Sequence, residues 1–240
     1  MVVNDAGENV CNLVTAHFDD LNAVYIAHET NQGAGAARNT GLAHAKGKYI
    51  AFLDDDDILY TAHLGRLVDF LEANPDHVAA YSVGIITFLK EGAPWHSGIM
   101  TYHAPDKQVL LAMNYLPLTT LLYRREAIDR IGPWDAEEWH VEDWDYNIRL
   151  FWEGGGKVGW LPDLVTSEQF VNVEGGHRSQ TYDWDDAKST VSKIFQRYAH
   201  YATPETRALQ EAQVKHMWEA GAPKCASYKE IVPDAVERPT

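Results

Sequence analysis

Cysteine and positive charge are both in short supply in this chain. Its 240 residues hold two cysteines, Cys11 and Cys225, near opposite ends and in no CxxC or comparable spacing. Neither a disulfide framework nor a zinc cluster is therefore expected, and the cysteine usage fits a reducing cytoplasm. Long apolar runs are also missing. Stretches such as Tyr49–Leu53 and Val109–Met113 fall far short of the roughly 20 residues that a membrane-spanning helix needs. The opening Met-Val-Val-Asn-Asp has neither the basic nor the apolar stretch of a secretory leader. Lys and Arg number 20 against 35 Asp and Glu, a formal net charge of −15. That balance argues against holding nucleic acid or an anionic membrane by bulk electrostatics, so a polyanionic ligand must be met locally.

What remains is ordinary globular material, 45% hydrophobic and 11% aromatic, long enough for one full-sized domain with a small appendage. Met1–Asn4 reads as a short buried strand running into the turn Asp5–Asn9, with a helix around Val10–Leu21 and a strand at Ala23–Ala27. A loop at Glu29–Gly35 leads to a helix at Ala36–Ala45, closed by Lys46-Gly47. Tyr49–Leu53 reads as a strand covered on both faces, Leu64–Ala73 as a helix and Val78–Leu89 as a strand, an alternation that points to an α/β domain. Lys90–Tyr115 follows no clear period. Leu116–Arg124 reads as a strand, Glu126–Ile131 as a short helix, and Trp134–Trp152 as an acidic, Trp-rich segment after the break at Gly132-Pro133. Beyond Pro162, a strand at Leu164–Val171, a Gly-rich loop at Glu174–Ser179 and helices at Trp184–Tyr201 and Pro204–Ala220 precede a Pro-containing tail.

The most informative string is Asp54-Asp55-Asp56-Asp57, directly after an apolar strand. Four adjacent carboxylates repel one another unless a cation joins them, and oxygen-only ligands suit Mg²⁺ or Mn²⁺. A solvated acidic turn is the plainer alternative, but the carboxyl end of a strand is where α/β sheets bind ligands. Upstream, Gly33-Ala34-Gly35-Ala36-Ala37-Arg38 imitates a dinucleotide fingerprint, with Arg38 where a small residue is required for helix–strand packing. That arginine could instead face a phosphate beside the acidic cluster. A second acidic group, Glu142-Asp143-Trp144-Asp145, lies far away in sequence. It suits the first turn of a helix through Trp152, and the neighbouring tryptophans could wall a sugar site.

These strings together resemble one family. Asn31-x-Gly33, Ala37-Arg38-Asn39-x-Gly41 and the run from Ala45 to Asp57 look like the nucleotide-sugar half of family-2 glycosyltransferases. Leu122-x-Arg124-Arg125-Glu126, Ile131-Gly132-Pro133-Trp134-Asp135, Glu142-Asp143-Trp144-Asp145 and Arg149-Leu150 are similar to its acceptor half. The resemblance covers roughly residues 1–165. It implies a Rossmann-like GT-A fold, α/β, with a mixed, mainly parallel sheet flanked by helices over residues 1–180. A C-terminal helical extension at 181–220 and a flexible tail at 221–240 would follow. It also implies that the family's first strand and helix are missing here, as in a fragment, leaving Met1–Asn4 with one sheet neighbour missing.

The family's roles fall on matching positions. Asp5 matches an acid that contacts the nucleotide base, and Arg38, with less agreement, a nucleotide-side residue. Asp54, Asp55 and Asp56 match the DXD region: Asp56 is the direct metal ligand, Asp55 a ribose or metal contact, and Asp54 and Glu142 belong to the nucleotide-sugar pocket. Asp143 matches the catalytic base of inverting members. His177, in the late Gly-rich loop, is a candidate metal ligand, and Arg178 a diphosphate contact. His63, His96, His103 and His140 show no ligand spacing and read as core or surface residues. The implied activity is metal-dependent, inverting transfer from a nucleotide diphosphate sugar to a glycan or lipid-linked glycan, with Mn²⁺ or Mg²⁺ as cofactor. Such an enzyme of surface polysaccharide assembly would work in the cytoplasm, at the inner face of the membrane if its acceptor is there. Neither nucleic acid nor a transmembrane segment is expected, and an oligomer is compatible. Two alternatives stay open: a haloacid-dehalogenase-type phosphatase with Asp54 as nucleophile and Asp56 as acid/base, or a nucleotide- or glycan-binding module without activity.

Overall fold

A computed structural model describes residues 1–18, 21–100, 103–137, 141–172 and 184–219, the last segment without the side chains of 184–188 and 216–219. β1 (Val2–Asn4) leads to α1 (Cys11–Phe18), β2 (Tyr25–Ala27) and α2 (Ala34–His44). β3 (Tyr49–Ile50), β4 (Ile58–Leu59), α3 (His63–Ala73), β5 (His77–Lys90) and β6 (Ala93–Ile99) follow. Then come α4 (Lys107–Leu110), β7 (Leu121–Arg124), α5 (Arg125–Ile131) and α6 (Glu142–Glu153). β8 (Lys157–Asn172), α7 (Trp184–Arg197) and α8 (Pro204–Glu219) complete the order.

β1 and β2 pair in parallel as a two-stranded sheet. The second sheet runs β3-β7-β5-β8-β4, with β6 on the same edge of β5 as β7, farther along the strand. β5 and β8 are parallel, whereas β7 lies antiparallel between β3 and β5, so β3, β5 and β8 share one direction in a mixed sheet. Helices flank it, as expected of an α/β fold. Leu67 and Leu71 of α3 pack on Ala80 and Leu122, while the larger core joins β5, β7, α5, α6 and α7.

Several elements depart from the sequence expectation for identifiable reasons. α2 begins two residues early because Gly33, at φ 87°, takes the left-handed turn that launches it, which puts Arg38 in the second helical turn. Only Tyr49–Ile50 of the apolar run joins a ladder, and Leu53 is 52% exposed as the chain leaves the sheet to deliver its acids. The aperiodic middle hides a hairpin: Glu91 and Gly92, both at positive φ, form the two-residue turn between β5 and β6. β8 runs through Pro162, where the ladder skips from Leu161 to Val165, since proline has no N–H to donate. A strand was expected only from Leu164.

The C-terminal helices pack where core packing was expected. Val191, Ile194 and Tyr198 of α7 are buried in the main cluster, and Phe195 meets Trp144 edge-on at 5.8 Å. Gln210 of α8 donates to the Leu111 carbonyl at 2.8 Å. The tail expected at 221–240 lies outside the described residues.

Candidate active site

The four aspartates form the turn beyond β3. The Asp57 amide donates to the Asp54 carbonyl at 3.2 Å, which leaves Asp55 and Asp56 exposed and Asp54 and Asp57 half-buried. Burial pushes the Asp57 carboxyl up to about 6, and Asp56 and Asp54 add to the rise, although Gln169 Nε2 opposes it by donating at 3.0 Å. Ionised Asp57 therefore sits in a field of like charge. Its folded-state proton affinity exceeds the unfolded value, so its contribution to stability is present at low pH and is lost as pH rises through about 6. Asp57→Asn should accordingly raise the Tm at pH 7.5 in the presence of EDTA and leave it nearly unchanged at pH 4. Calorimetry at the two pH values checks this.

Asp54 is the member of the turn that Arg38 reaches. Arg38 Nη2 donates to both Asp54 oxygens, at 2.9 and 3.1 Å, while Nη1 donates to Glu142 Oε1 at 3.1 Å. The two acidic groups, distant in sequence, thus meet at one guanidinium. Burial opposes the charge on Arg38, but Asp54, Glu142 and Asp143 more than offset it and raise its already high proton affinity. The group also lies 4.7 Å from the centre of the Trp134 ring, which stacks on Tyr146 at 3.9 Å and meets Phe52 edge-on. Asn39 fixes this arrangement by pairing with both the amide and the carbonyl of Trp134, at 2.8 and 3.0 Å. The consecutive residues Arg38 and Asn39 therefore tie α2 to both acidic segments and to the Gly132-Pro133-Trp134 turn.

Glu142 and Asp143 open α6. Glu142 is buried, whereas Asp143 is half-buried and accepts from the Trp144 amide at 2.8 Å and from Asn114 Nδ2 at 3.0 Å. Asp145 does other work. It is 2% exposed and accepts from Arg149 at 2.8 Å, Arg197 at 2.8 Å and Tyr198 at 2.6 Å, which clamps α7 to α6. Burial raises its proton affinity, but these partners outweigh burial and hold the carboxyl below its usual range. Of the neighbouring tryptophans, Trp139 lies outside the described residues, and Trp134 and Trp144 do not wall a sugar site. Trp134 and Trp144 are 2% and 3% exposed and belong to the core, and Trp144 Nε1 donates to the Leu110 carbonyl at 2.6 Å.

Asp5 stands at the N-terminal side of α2. It accepts from the Gln32 amide at 2.9 Å, the Gly33 amide at 2.7 Å and His28 Nδ1 at 2.6 Å. Burial raises its proton affinity, and these partners overcome that and keep it lowered. Its carboxylate thus holds the glycine loop in shape, with His28 in turn bonded to Thr40 at 2.9 Å. Asp55 and Asp56 are exposed and carry the oxygen donors that suit a divalent cation. Among the described residues no three His, Cys, Asp or Glu side chains converge as a metal cluster. His177 and Arg178 lie outside the described residues, as does His140. His63 is a core residue, bonded to Thr166 at 2.8 Å and lowered to about 4 by burial.

Sequence reading missed Asn114, because it lies in the aperiodic stretch, and missed His28, Asn147 and the role of Asn39. Asn39 alone carried a signal, as the third residue of Ala37-Arg38-Asn39.

The profile of Glycosyl transferase family 2 matches residues 2–132. An uncharacterized glycosyltransferase of Bacillus subtilis, YwdF, is 32% identical over 152 residues, covering 62% of this chain and 55% of its own length. A PGL/p-HBAD biosynthesis glycosyltransferase of Mycobacterium tuberculosis is 30% identical over 127 residues, 52% of this chain and 46% of that one. The chain thus spans about half the length of these curated relatives. S. aureus TarS, residues 1–349 in complex with UDP-GlcNAc, superposes with a TM-score of 0.60 at 18% identity, covering 90% of this chain and 61% of TarS. The same TarS segment with UDP gives 0.55 at 16% identity, with 92% and 71% covered. At such identities the TarS structures speak for the fold, and together with the profile match they show that this chain has the GT-A fold and belongs to glycosyl transferase family 2.

Proposed function

We propose that the protein transfers a sugar from a nucleotide diphosphate donor to an acceptor hydroxyl, with inversion and with a divalent cation. The observation that carries this reading is the Arg38 bridge, which places the acidic turn of Asp54–Asp57 beside Glu142 and Asp143. Donor and acceptor chemistry need those two groups on either side of one reaction centre. Asp143 accepts the proton of the acceptor hydroxyl as that oxygen bonds to the anomeric carbon, and the bond from that carbon to the diphosphate breaks with its electron pair on the phosphate oxygen. A single displacement of this kind inverts the anomeric centre. Asp55 and Asp56 fit Mn²⁺ or Mg²⁺ by donor type, and the like charge of Asp54 and Asp56 adds to the rise of Asp57, which supports a cation at this turn. The bound cation would neutralise the departing diphosphate. TarS in complex with UDP-GlcNAc supports a uridine nucleotide as the first donor to try. The acceptor we propose is a glycan or lipid-linked glycan. Cytoplasmic work at the membrane's inner face is part of the same proposal; among the described residues no helix is long and apolar enough to cross a membrane. We assign the catalytic unit to residues 1–180 and the helical extension to 181–220.

The phosphatase reading loses its support. Both oxygens of Asp54, its required nucleophile, accept from Arg38, and the profile match lies with a different enzyme class.

Thermal shift with a panel of nucleotide sugars, each with Mn²⁺ or EDTA, tests the proposal. A ligand at about 100 times its Kd adds about 2.7 kcal/mol, or roughly 5–10 °C for a chain of this size. The rise should require Mn²⁺ and should vanish in Asp56→Ala. Stabilisation that is indifferent to metal would remove the cation from the scheme. Stabilisation without transfer to any acceptor would favour the binding-module reading.

A further inference from the structure

The base proposed above stands at the end of a polarised hydrogen-bond chain. Tyr123 OH donates to Asn147 Oδ1 at 3.5 Å, and Asn147 Nδ2 donates to the Leu116 carbonyl at 2.9 Å and to Asn114 Oδ1 at 3.3 Å. Asn114 Nδ2 then donates to Asp143 Oδ2 at 3.0 Å. Because Asn114 Oδ1 is occupied by Asn147 and by the Leu116 amide at 3.4 Å, its NH₂ end must face the carboxylate. Every donor in the chain points the same way. We infer that Asn114 is a positioning residue for Asp143: it fixes the carboxylate orientation and, backed by Asn147 and Tyr123, keeps the carboxylate ionised and ready to accept a proton.

The chemistry favours the charged form. An amide N–H donated to a carboxylate stabilises the anion and gives nothing to the neutral acid. Tyr123 is buried, and burial holds its hydroxyl proton far above the ordinary tyrosine range, so the far end of the chain stays a donor. Among the described residues, Arg38 from α2 is a charged group that interacts with Asp143, and Glu142, next to it in the chain, is itself paired to Arg38. Asn114 supplies the uncharged share and also sets direction. With one oxygen on the Trp144 amide and the other on Asn114, the plane of the carboxylate is defined.

This inference rests on the base assignment, but its test does not need a known substrate. The Asp143 side-chain carbonyl carbon can be followed by ¹³C NMR against pH and identified as the resonance missing from Asp143→Asn. In Asn114→Ala its midpoint should rise by about one pH unit, a tenfold change in proton affinity. Asn114→Ser, which keeps a hydroxyl donor, should recover part of the shift. Tyr123→Phe, which deletes only the far end of the chain, should give a smaller rise in the same direction. Unmoved midpoints in all three variants, with wild-type melting temperatures, would overturn the inference, as would an equal shift in Ser and Ala. If the midpoints move but Asp143→Asn still turns over with UDP-GlcNAc or another active donor, it is the function that fails. For the active enzyme, the acid limb of the rate profile should move upward in Asn114→Ala with little change in donor KM.

Discussion

Asp143→Asn should lower the transfer rate by a factor on the order of 10²–10⁴, the usual share of a general base, while donor affinity stays within about twofold. The two effects separate because Asp143 sits at the start of α6, where it accepts from the Trp144 amide and from Asn114, whereas the cation and diphosphate are proposed to meet the turn of Asp54–Asp57. An asparagine keeps the size of the side chain and can still accept from the Trp144 amide. Its NH₂ end would then face the NH₂ end of Asn114, whose orientation Asn147 dictates. That mismatch should cost about 1 kcal/mol of stability, a small change beside the catalytic loss. Single-turnover rates with a donor found by thermal shift, paired with calorimetric donor binding, measure both quantities. Near-normal turnover in this variant would exclude Asp143 as the base.

Arg38→Ala should damage stability and activity together. Its guanidinium is 9% exposed and faces Glu142, which is 4% exposed, so truncation leaves a buried carboxylate without its cation. Breaking a buried pair in this way costs about 3 kcal/mol or more, or roughly 6–12 °C in Tm for a chain of this length. Asp54 is more exposed, at 35%, and water can screen it, so little of the loss should come from that partner. The contact over the Trp134 ring, at 4.7 Å, disappears as well. Arg38→Lys should recover charge without the fork that spans both acids, and so should fall between the two in melting temperature. Equal stability of Arg38→Ala and wild type in thermal denaturation would show that the bridge does not hold the two acidic segments together. The double variant Arg38→Ala with Glu142→Gln should be more stable than Arg38→Ala alone, since the stranded charge has gone.

The same bridge explains why the acidic clusters could be found in the sequence although their union could not. A run of four aspartates after an apolar strand and an acidic helix start after Gly132-Pro133-Trp134 are local patterns. Local electrostatics already separates them from ordinary turns. Nothing local tells Arg38 which carboxylate it will meet. Its place in the second turn of α2 depends on the left-handed Gly33, and its reach to Glu142 depends on Asn39 fastening α2 to the Trp134 turn. Asn114 was illegible for a related reason. It lies where the chain follows neither helical nor strand period, and its partners Asn147 and Asp143 belong to a helix about thirty residues later.

By itself, the sequence determined the α/β alternation, the two acidic clusters and the family resemblance, because each is written in composition, period or contiguous motif. Only the tertiary structure decided how the acids divide their work. Asp145 becomes a clamp for α7, Asp5 the anchor of the glycine loop, Asp54 a partner of Arg38, and Asp143 the acid held at the end of a donor chain. The physical reason is that a carboxylate's role is set by its burial and by the donors that reach it, and in this fold most of those donors come from distant segments of the chain.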